Sequence, residues 1–340
     1  MLKQFYLKHK TYLQNSILGT VISKGFEWVN RCYNFLYDHH FFKSHQLDCT
    51  IISIGNVSIG GSGKTPFCIL LAKALEGRKK SFAFVFKGYG ARKKVDPPIV
   101  LSIGDGPQYD AQTVSDEAVL VSQKFPNHVF VVGKDRQKAC LIAKEHAPIL
   151  ILDDAMQHRK LAKDFEVVIL DKQDPFGRKN FFPAGFLRDH LSQLQRAHLV
   201  VGYNDIEQEL RKWTSAPFVQ VAKVAIDTRP IVGKKVAAFT AVANPQSVYE
   251  TLNKAGALLM DCLELSDHSF FDLKDLEHFS KKAKEQGIEL LVCTEKDATK
   301  IDSGIILALP VYILKIELNI KKHQDEFDQF LDKLEKIHGT

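Results

Sequence analysis

Long apolar runs are the first thing this chain is short of. No uninterrupted stretch approaches the ~20 apolar residues that a membrane-spanning helix needs, which sets aside channels and carriers that cross the bilayer. A short apolar core followed by a small-residue cleavage site is also missing, so no secretory signal is expected. The six cysteines, Cys32, Cys49, Cys68, Cys140, Cys262 and Cys293, are scattered and show no paired metal-ligand spacing. A reducing, cytoplasmic chain is therefore expected. There is no internal repeat and no low-complexity tract. Charge of neither sign dominates: 46 Lys and Arg face 40 Asp and Glu, for a formal charge of +6. That balance suits nucleotides, phosphorylated substrates or an acidic membrane surface, and it does not call for nucleic acid.

What remains is an ordinary globular composition, 45% hydrophobic and 25% charged over 340 residues, with room for two domains. The informative stretch is Gly55-Asn56-Val57-Ser58-Ile59-Gly60-Gly61-Ser62-Gly63-Lys64-Thr65-Pro66. It follows an apolar run, Thr50-Ile51-Ile52-Ser53-Ile54, that reads as a buried strand. It precedes Phe67-Cys68-Ile69-Leu70-Leu71-Ala72-Lys73-Ala74-Leu75, which reads as a helix start. Strand, glycine loop and helix form the context in which backbone N–H groups and a helix N-terminus surround a phosphate, a Lys adds charge and a hydroxyl reaches Mg²⁺. Ser58, Ile59, Gly60, Gly61, Ser62, Gly63, Lys64 and Thr65 are thus the candidate nucleotide-binding residues. The general pattern has Gly where Ser58 stands. A glycine-rich turn with no ligand is the plainer alternative.

Residues 1–48 hold ten of the 34 aromatic residues, with six Lys or Arg against three Asp or Glu. Leu13, Ile17, Leu18, Val21, Ile22, Trp28, Val29, Cys32 and Leu36 recur at helical spacing. Two uses fit such a helix. One is docking on the protein's own core. The other is lying in a membrane interface, with Phe5, Tyr6, Tyr12, Phe26 and Trp28 near the headgroups and Lys3, Lys8, Lys10 and Lys24 toward acidic lipid.

Beyond the loop, apolar runs at 82–86, 99–102, 129–132, 149–152, 167–170, 199–201 and 218–225 alternate with helical segments. Several lack strict alternation, as strands covered on both faces do. This predicts a mainly parallel α/β sheet with helices on both faces. Asp227-Thr228-Arg229-Pro230 marks a shift, after which runs at 236–240, 290–293 and 311–316 suggest a smaller C-terminal α/β domain. The expected division is 1–48, 49–226 and 230–340.

Several motifs fit chemistry and plainer roles alike. Asp153 and Asp154 end a buried run, where a phosphate-binding loop finds the acid that holds Mg²⁺; they also fit the start of a loop. Ser115-Asp116-Glu117 reads as a helix cap with acids in its first turn, and it also offers a carboxylate to accept a hydroxyl proton. Thr294-Glu295-Lys296-Asp297 reads the same way as a capped helix start. His268, in Ser266-Asp267-His268-Ser269-Phe270, is an isolated histidine. Tyr89, Arg136 and Arg188 stand in glycine-containing loops after apolar runs, where a parallel sheet gathers its ligand crevice.

Taken together, these motifs resemble the tetraacyldisaccharide 4′-kinase family, the lipid A 4′-kinases of Gram-negative bacteria. The marks that carry the resemblance are residues 55–66, Asp153-Asp154-Ala155-Met156-Gln157-His158, Pro183-Ala184-Gly185-Phe186-Leu187-Arg188, Asp267-His268 and Thr294-Glu295-Lys296-Asp297, and they reach to about Lys300. The resemblance implies a P-loop NTPase-like fold and ATP- and Mg²⁺-dependent phosphorylation of the 4′-hydroxyl of a tetraacylated glucosamine disaccharide 1-phosphate, the lipid A precursor. It implies that Lys64 meets the β/γ-phosphates and Thr65 the metal. Asp116 is implied as proton acceptor, paired with His268. Asp153, Asp154 and Glu117 are implied for the metal and phosphate region, and Tyr89, Arg136 and Arg188 as substrate or nucleotide contacts. The N-terminal helix is implied to lie peripherally, as a monotopic element, on the cytoplasmic face of the inner membrane. The chain departs from the usual family pattern at Lys87, Ser115, Ala118, Ala155, Met156 and Asp189. Rival readings are a nucleotide-switch GTPase, whose Asn/Thr-Lys-x-Asp pattern the 294–297 stretch misses by one place, and a nucleotide-binding membrane adaptor.

Overall fold

The structure is a computed structural model that describes residues 16–89, 95–267, 269–301 and 304–336. In chain order its principal elements begin with α1 (Ile17–Asp38), β1 (Thr50–Gly55), α2 (Lys64–Gly77), β2 (Phe82–Phe86), β3 (Ile99–Ile103), α3 (Asp116–Lys124), β4 (Val129–Val132) and α4 (Arg136–Lys144). There follow β5 (Ile149–Asp153), β6 (Phe165–Ile169), β7 (Leu199–Gly202), α5 (Glu207–Leu210), β8 (Phe218–Ile226), β9 (Lys235–Thr240), α6 (Pro245–Lys254) and β10 (Leu258–Glu264). The chain closes with α7 (Leu273–Glu285), β11 (Leu290–Thr294), α8 (Glu295–Ala298), β12 (Val311–Lys322) and α9 (Gln324–Lys336). Mostly parallel strands flanked by helices make this an α/β fold, as the alternation of runs predicts.

The chain forms two compact units, each discontinuous in sequence. The first comprises residues 1–83, 147–222 and 320–340, and the second 84–146 and 223–319. They cut the chain differently from the consecutive segments expected from sequence, because chain order does not record which strands pair.

The first unit centres on β1, whose six residues are all buried. Ile52 pairs in parallel register with Ile151 of β5 on one side and Phe165 of β6 on the other; β7 and β8 extend the parallel array. A strand with neighbours on both edges and helices over its faces has no solvent side, which is why Thr50-Ile51-Ile52-Ser53-Ile54 shows no alternation. Val57, Val168, Phe181, Leu187, Val200 and Phe218 form part of its apolar core.

In the second unit β10, β9, β11 and β12 run side by side with parallel pairing, and β3 pairs antiparallel with β4. Phe239, Leu276, Phe279 and Leu291 pack together on one side. Val236, Val248, Leu252 and Leu314 pack in a separate cluster. β10 is a strand that the sequence analysis leaves unassigned. Its residues are alternately exposed and half-buried, so it carries no continuous apolar run.

Helix α1 is amphipathic in reverse. Its buried residues are Gly19, Ser23, Asn34 and Tyr37, whereas Ile17 is 87% and Trp28 68% exposed, with Leu18, Val21, Phe26, Val29 and Phe35 also outward. Ser16 caps it by accepting the Gly19 N–H at 2.9 Å. No helix among the described residues is long and apolar enough to cross a membrane. Leu13, Phe5, Tyr6, Tyr12, Lys3, Lys8 and Lys10 lie outside the described residues.

Candidate active site

The glycine loop leaves β1 at Gly55 and enters α2 at Lys64, with Gly63 as N-cap in the left-handed region at φ 87°. A Cβ on Gly63 would stand 1.8 Å from the Tyr203 Oη, so both backbone conformation and space require glycine there. At Gly55 space alone requires glycine, a Cβ there standing 2.5 Å from Met156 Cβ. Tyr203 is buried, which pushes its phenol up, so it stays protonated and donates to the Ser62 carbonyl at 3.2 Å. The loop's outer part, Ile59 to Gly61, is exposed, while Ser58 and Ser62 are buried. Ser62 Oγ has no hydrogen-bond partner among the described residues. A buried hydroxyl of that kind costs free energy unless a ligand or water completes it. Thr65 stands next to Lys64 in the first turn, partly buried.

Beside this loop two cations, Lys64 and Arg188, converge on one carboxylate. Lys64 Nζ lies 3.4 Å from Asp154 Oδ1 and 3.4 Å from Asn56 Oδ1. Arg188 lays its guanidinium fork on the Asp154 carboxylate, with Nη1 3.1 Å from Oδ2 and Nη2 in contact with Oδ1, and Nη2 also contacts Asn56 Oδ1. Asp154 reaches both cations from a left-handed backbone, φ 50°, directly after β5. Asp153, on the preceding residue, faces elsewhere and accepts from the Cys68 thiol at 3.8 Å. Burial, and then the Asp153 charge, push that thiol well above its ordinary range, so it remains a donor. The left-handed turn at Asp154 gives the two adjacent acids different partners. Gln157 Nε2 completes the set by donating to the Asn56 carbonyl at 2.9 Å and to Asp189 Oδ2 at 3.3 Å.

In the second unit the sign is reversed. Lys296 Nζ is ringed by Glu117 Oε1 at 2.7 Å, Asp267 Oδ1 at 3.5 Å and Asp116 Oδ2 at 3.6 Å. Burial alone would pull the Lys296 ammonium down, but Glu117, Asp116 and Asp267 outweigh it and raise it above its ordinary value. Asp116 also meets the fully buried Lys300 at 3.3 Å. Lys300 in turn reaches Asp297 at 3.5 Å and the Ala241 carbonyl at 3.0 Å. Asp297 is itself fixed by Thr240 Oγ1 at 2.8 Å, Thr294 Oγ1 at 2.7 Å and the Ala241 N–H at 2.9 Å.

Both plain capping expectations hold beside these ion pairs. Ser115 accepts the Ala118 N–H at 3.2 Å, and Thr294 accepts the Asp297 N–H at 3.1 Å. The structure thus gathers Lys64, Asp154 and Arg188 in one cluster, and Asp116 and Glu117 in another. His268 lies outside the described residues. Arg136 is only 2% exposed, and Tyr89, at 52%, accepts from Lys87 Nζ at 2.8 Å. Asn56, Gln157 and Lys296 belong to these clusters but were not candidates from sequence. Asn56 and Gln157 are neutral amides whose contacts lie 101 residues apart in the chain. Lys296 was explained sufficiently by a helix cap.

A phosphate-binding loop at the end of a buried parallel strand, with an acid from the adjacent strand and an arginine fork beside it, defines a P-loop phosphotransferase. A family model described as tetraacyldisaccharide-1-P 4′-kinase matches residues 15–336. Tetraacyldisaccharide 4′-kinase of Chlamydia abortus is 33% identical over 315 residues, covering 87% of this chain and 84% of that one. The protein of the same name from Syntrophus aciditrophicus is 31% identical over 336 residues, covering 89% and 88%. The crystal structure of LpxK from Aquifex aeolicus in complex with ATP shares the fold, with a TM-score of 0.73 at 24% identity over 98% of this chain and 99% of that one. The chain belongs to the tetraacyldisaccharide 4′-kinase family.

Proposed function

We propose that the chain transfers the γ-phosphoryl group of ATP to the 4′-hydroxyl of a tetraacyl glucosamine disaccharide 1-phosphate at a membrane surface. The observations that carry this reading are a glycine loop with Lys64 and Arg188 beside it in the first unit and, in the second, a carboxylate cluster of Asp116, Glu117 and Asp267. The donor site fits a polyphosphate. Gly63 keeps side-chain bulk away from the loop, Ser62 Oγ needs a partner, and Lys64 and Arg188 supply positive charge. Thr65 and Asp154 are the hard oxygen donors that would hold Mg²⁺ beside the substrate phosphates, whereas Asp153 faces the Cys68 thiol and Glu117 holds Lys296 in the second unit. When bound it neutralises charge on the β- and γ-phosphates.

The chain's own residues do the rest. Lys64 and Arg188 orient the phosphates and exclude competing geometries, which is most of what phosphoryl transfer asks of a protein. Asp116 takes the proton from the 4′-hydroxyl as its oxygen bonds to the γ-phosphorus and the bond from phosphorus to the β,γ-bridging oxygen breaks, leaving ADP. His268 is the partner we assign to Asp116. Lys296 and Lys300 hold the Asp116 side chain in place. Tyr89 is exposed where an acceptor can meet it, and buried Arg136 supports the fold around the acceptor. The GTPase and adaptor readings have no specific observation in their favour.

Membrane association rests on α1. A helix that buries Gly, Ser and Asn and displays Ile17, Val21, Phe26 and Trp28 is built to place its apolar face in a lipid interface. The cytoplasmic face of the inner membrane is the surface that a four-chain lipid acceptor and cytoplasmic ATP share.

Incubation with γ-labelled ATP and a tetraacyldisaccharide 1-phosphate tests the reading. Label is expected on the 4′-oxygen of the disaccharide. Label appearing only as inorganic phosphate, or transfer from GTP in preference to ATP, would overturn it.

A further inference from the structure

The inward face of α1 is polar, and its hydrogen bonds do not end on a passive surface. Asn34 Nδ2 donates to Asp189 Oδ1 at 2.9 Å and to Asn30 Oδ1 at 3.1 Å. Asn30 in turn donates to the Arg188 carbonyl at 3.4 Å and accepts the His190 N–H at 3.2 Å. Asp189 is 1% exposed, and its other oxygen accepts from Gln157, which also holds the Asn56 carbonyl. Asn56 touches both Lys64 and Arg188. About two turns before Asn30 along α1, Ser23 Oγ accepts the Ala184 N–H at 2.8 Å. The segment 184–190 is therefore held by α1 on one side and shapes the phosphate loop on the other. Three hydrogen bonds, Asn34 to Asp189, Asp189 to Gln157 and Gln157 to Asn56, connect a helix with an exposed apolar face to the residue that positions both loop cations.

We propose that Asn34 and Asp189 are positioning residues through which docking of α1 on an anionic lipid bilayer tightens the nucleotide site. The proposal rests on the membrane reading of α1 given above. Its physical basis is that buried polar contacts are directional and costly to leave unmade, so a shift of α1 is carried into segment 184–190 rather than absorbed. An anchor alone would need none of this. A helix that served only to hold the protein at a surface would bury apolar residues inward and leave the site's loop independent of it. Coupling of this kind is reciprocal: if lipid tightens ATP binding, ATP tightens lipid binding by the same factor.

The full-length protein is tested by titration calorimetry with Mg-ATP, with and without vesicles of phosphatidylethanolamine and phosphatidylglycerol that lack any acceptor substrate. The ATP dissociation constant is expected to fall about five-fold or more on vesicle binding. Sedimentation with vesicles is expected to tighten by the same factor when Mg-ATP is present. Asn34→Ala is expected to sediment with vesicles as the parent does, because its side chain faces inward, while both shifts disappear. If the parent protein binds vesicles and its ATP affinity does not change, the coupling is wrong, a result that needs no variant to fold. Full retention of both shifts in Asn34→Ala also overturns it. Failure of the parent to bind vesicles at all would be a different result, removing the membrane reading and this inference with it.

Discussion

The two charged clusters of this protein are built from opposite surpluses. Around the glycine loop, Lys64 and Arg188 converge on one carboxylate, Asp154. Around Lys296, Asp116, Glu117 and Asp267 converge on one ammonium, and Lys300 with Asp297 forms a second pair behind them. The first arrangement has positive charge to spare for an incoming polyphosphate. The second has negative charge to spare for a proton or a cation. The cations differ in kind as well. An arginine fork meets Asp154 along two edges, whereas the carboxylate cluster uses lysines, compact charges that several acids share from different directions. On the function proposed above, the donor phosphates belong to the first cluster and the acceptor's proton to the second. Substitutions at Asp116, Lys300, Lys296, Gly63 and Arg188 test that assignment and the packing around it.

The largest effect is expected at Asp116. Asp116→Asn keeps shape and removes the basic oxygen, so turnover should fall about 10²–10⁴-fold, the range that general-base catalysis covers. ATP affinity, set in the other cluster, should be unchanged. Steady-state kinetics with calorimetry for ATP separates the two, and near-parental turnover would take Asp116 out of the chemistry.

Lys300 comes next, and its effect is on stability. Its side chain is fully buried with Asp116 and Asp297, and removing one member of a buried ion pair leaves uncompensated charge that costs about 3–5 kcal/mol. Lys300→Met should lower the denaturant midpoint accordingly. Lys296→Met should cost less stability, since the Lys296 side chain retains 20% exposure.

Gly63→Ala carries the third effect and belongs to the loop. A non-glycine residue at φ 87° costs about 1–3 kcal/mol in backbone strain, and its Cβ collides with Tyr203 Oη. Combining it with Tyr203→Phe should return the steric part alone, measured as recovery of the unfolding midpoint toward the single Tyr203→Phe protein. Full recovery would show that backbone conformation contributes nothing there.

How much of this is legible in sequence follows from the range of the interactions. The strand–loop–helix around Lys64 is local, so the mostly apolar β1 and the Gly-Lys-Thr entrance to α2 announce both the fold class and the candidate donor site. Ser115 and Thr294 are legible as caps for the same reason. Lys296 was not, because its three acids come from α3 and from the loop after β10, up to 180 residues away in the chain. The periodicity of α1 showed an apolar stripe but not which way it faced; that depended on Asn34 and Ser23 finding partners at 184–190. Strand β10 escaped because a half-exposed strand has no apolar run to read.

The smallest effect, at Arg188, cuts most directly at the difference between the clusters. If the loop needs only net positive charge, Arg188→Lys should be silent, since charge is conserved. The geometry argues otherwise. The fork meets two oxygens of Asp154 while its other edge reaches Asn56, and a lysine can satisfy one of these contacts at a time. Asn56 Oδ1 would then keep only the longer contact to Lys64, and Asp154 would lose its two-edged contact with the guanidinium. Arg188→Lys should therefore raise the KM for ATP about tenfold, the equivalent of ~1.4 kcal/mol, with turnover at saturating ATP close to parental. An unchanged KM would mean that the loop binds phosphate by charge, as the carboxylate cluster binds its lysines, and the contrast between fork and point charge would lose its functional meaning.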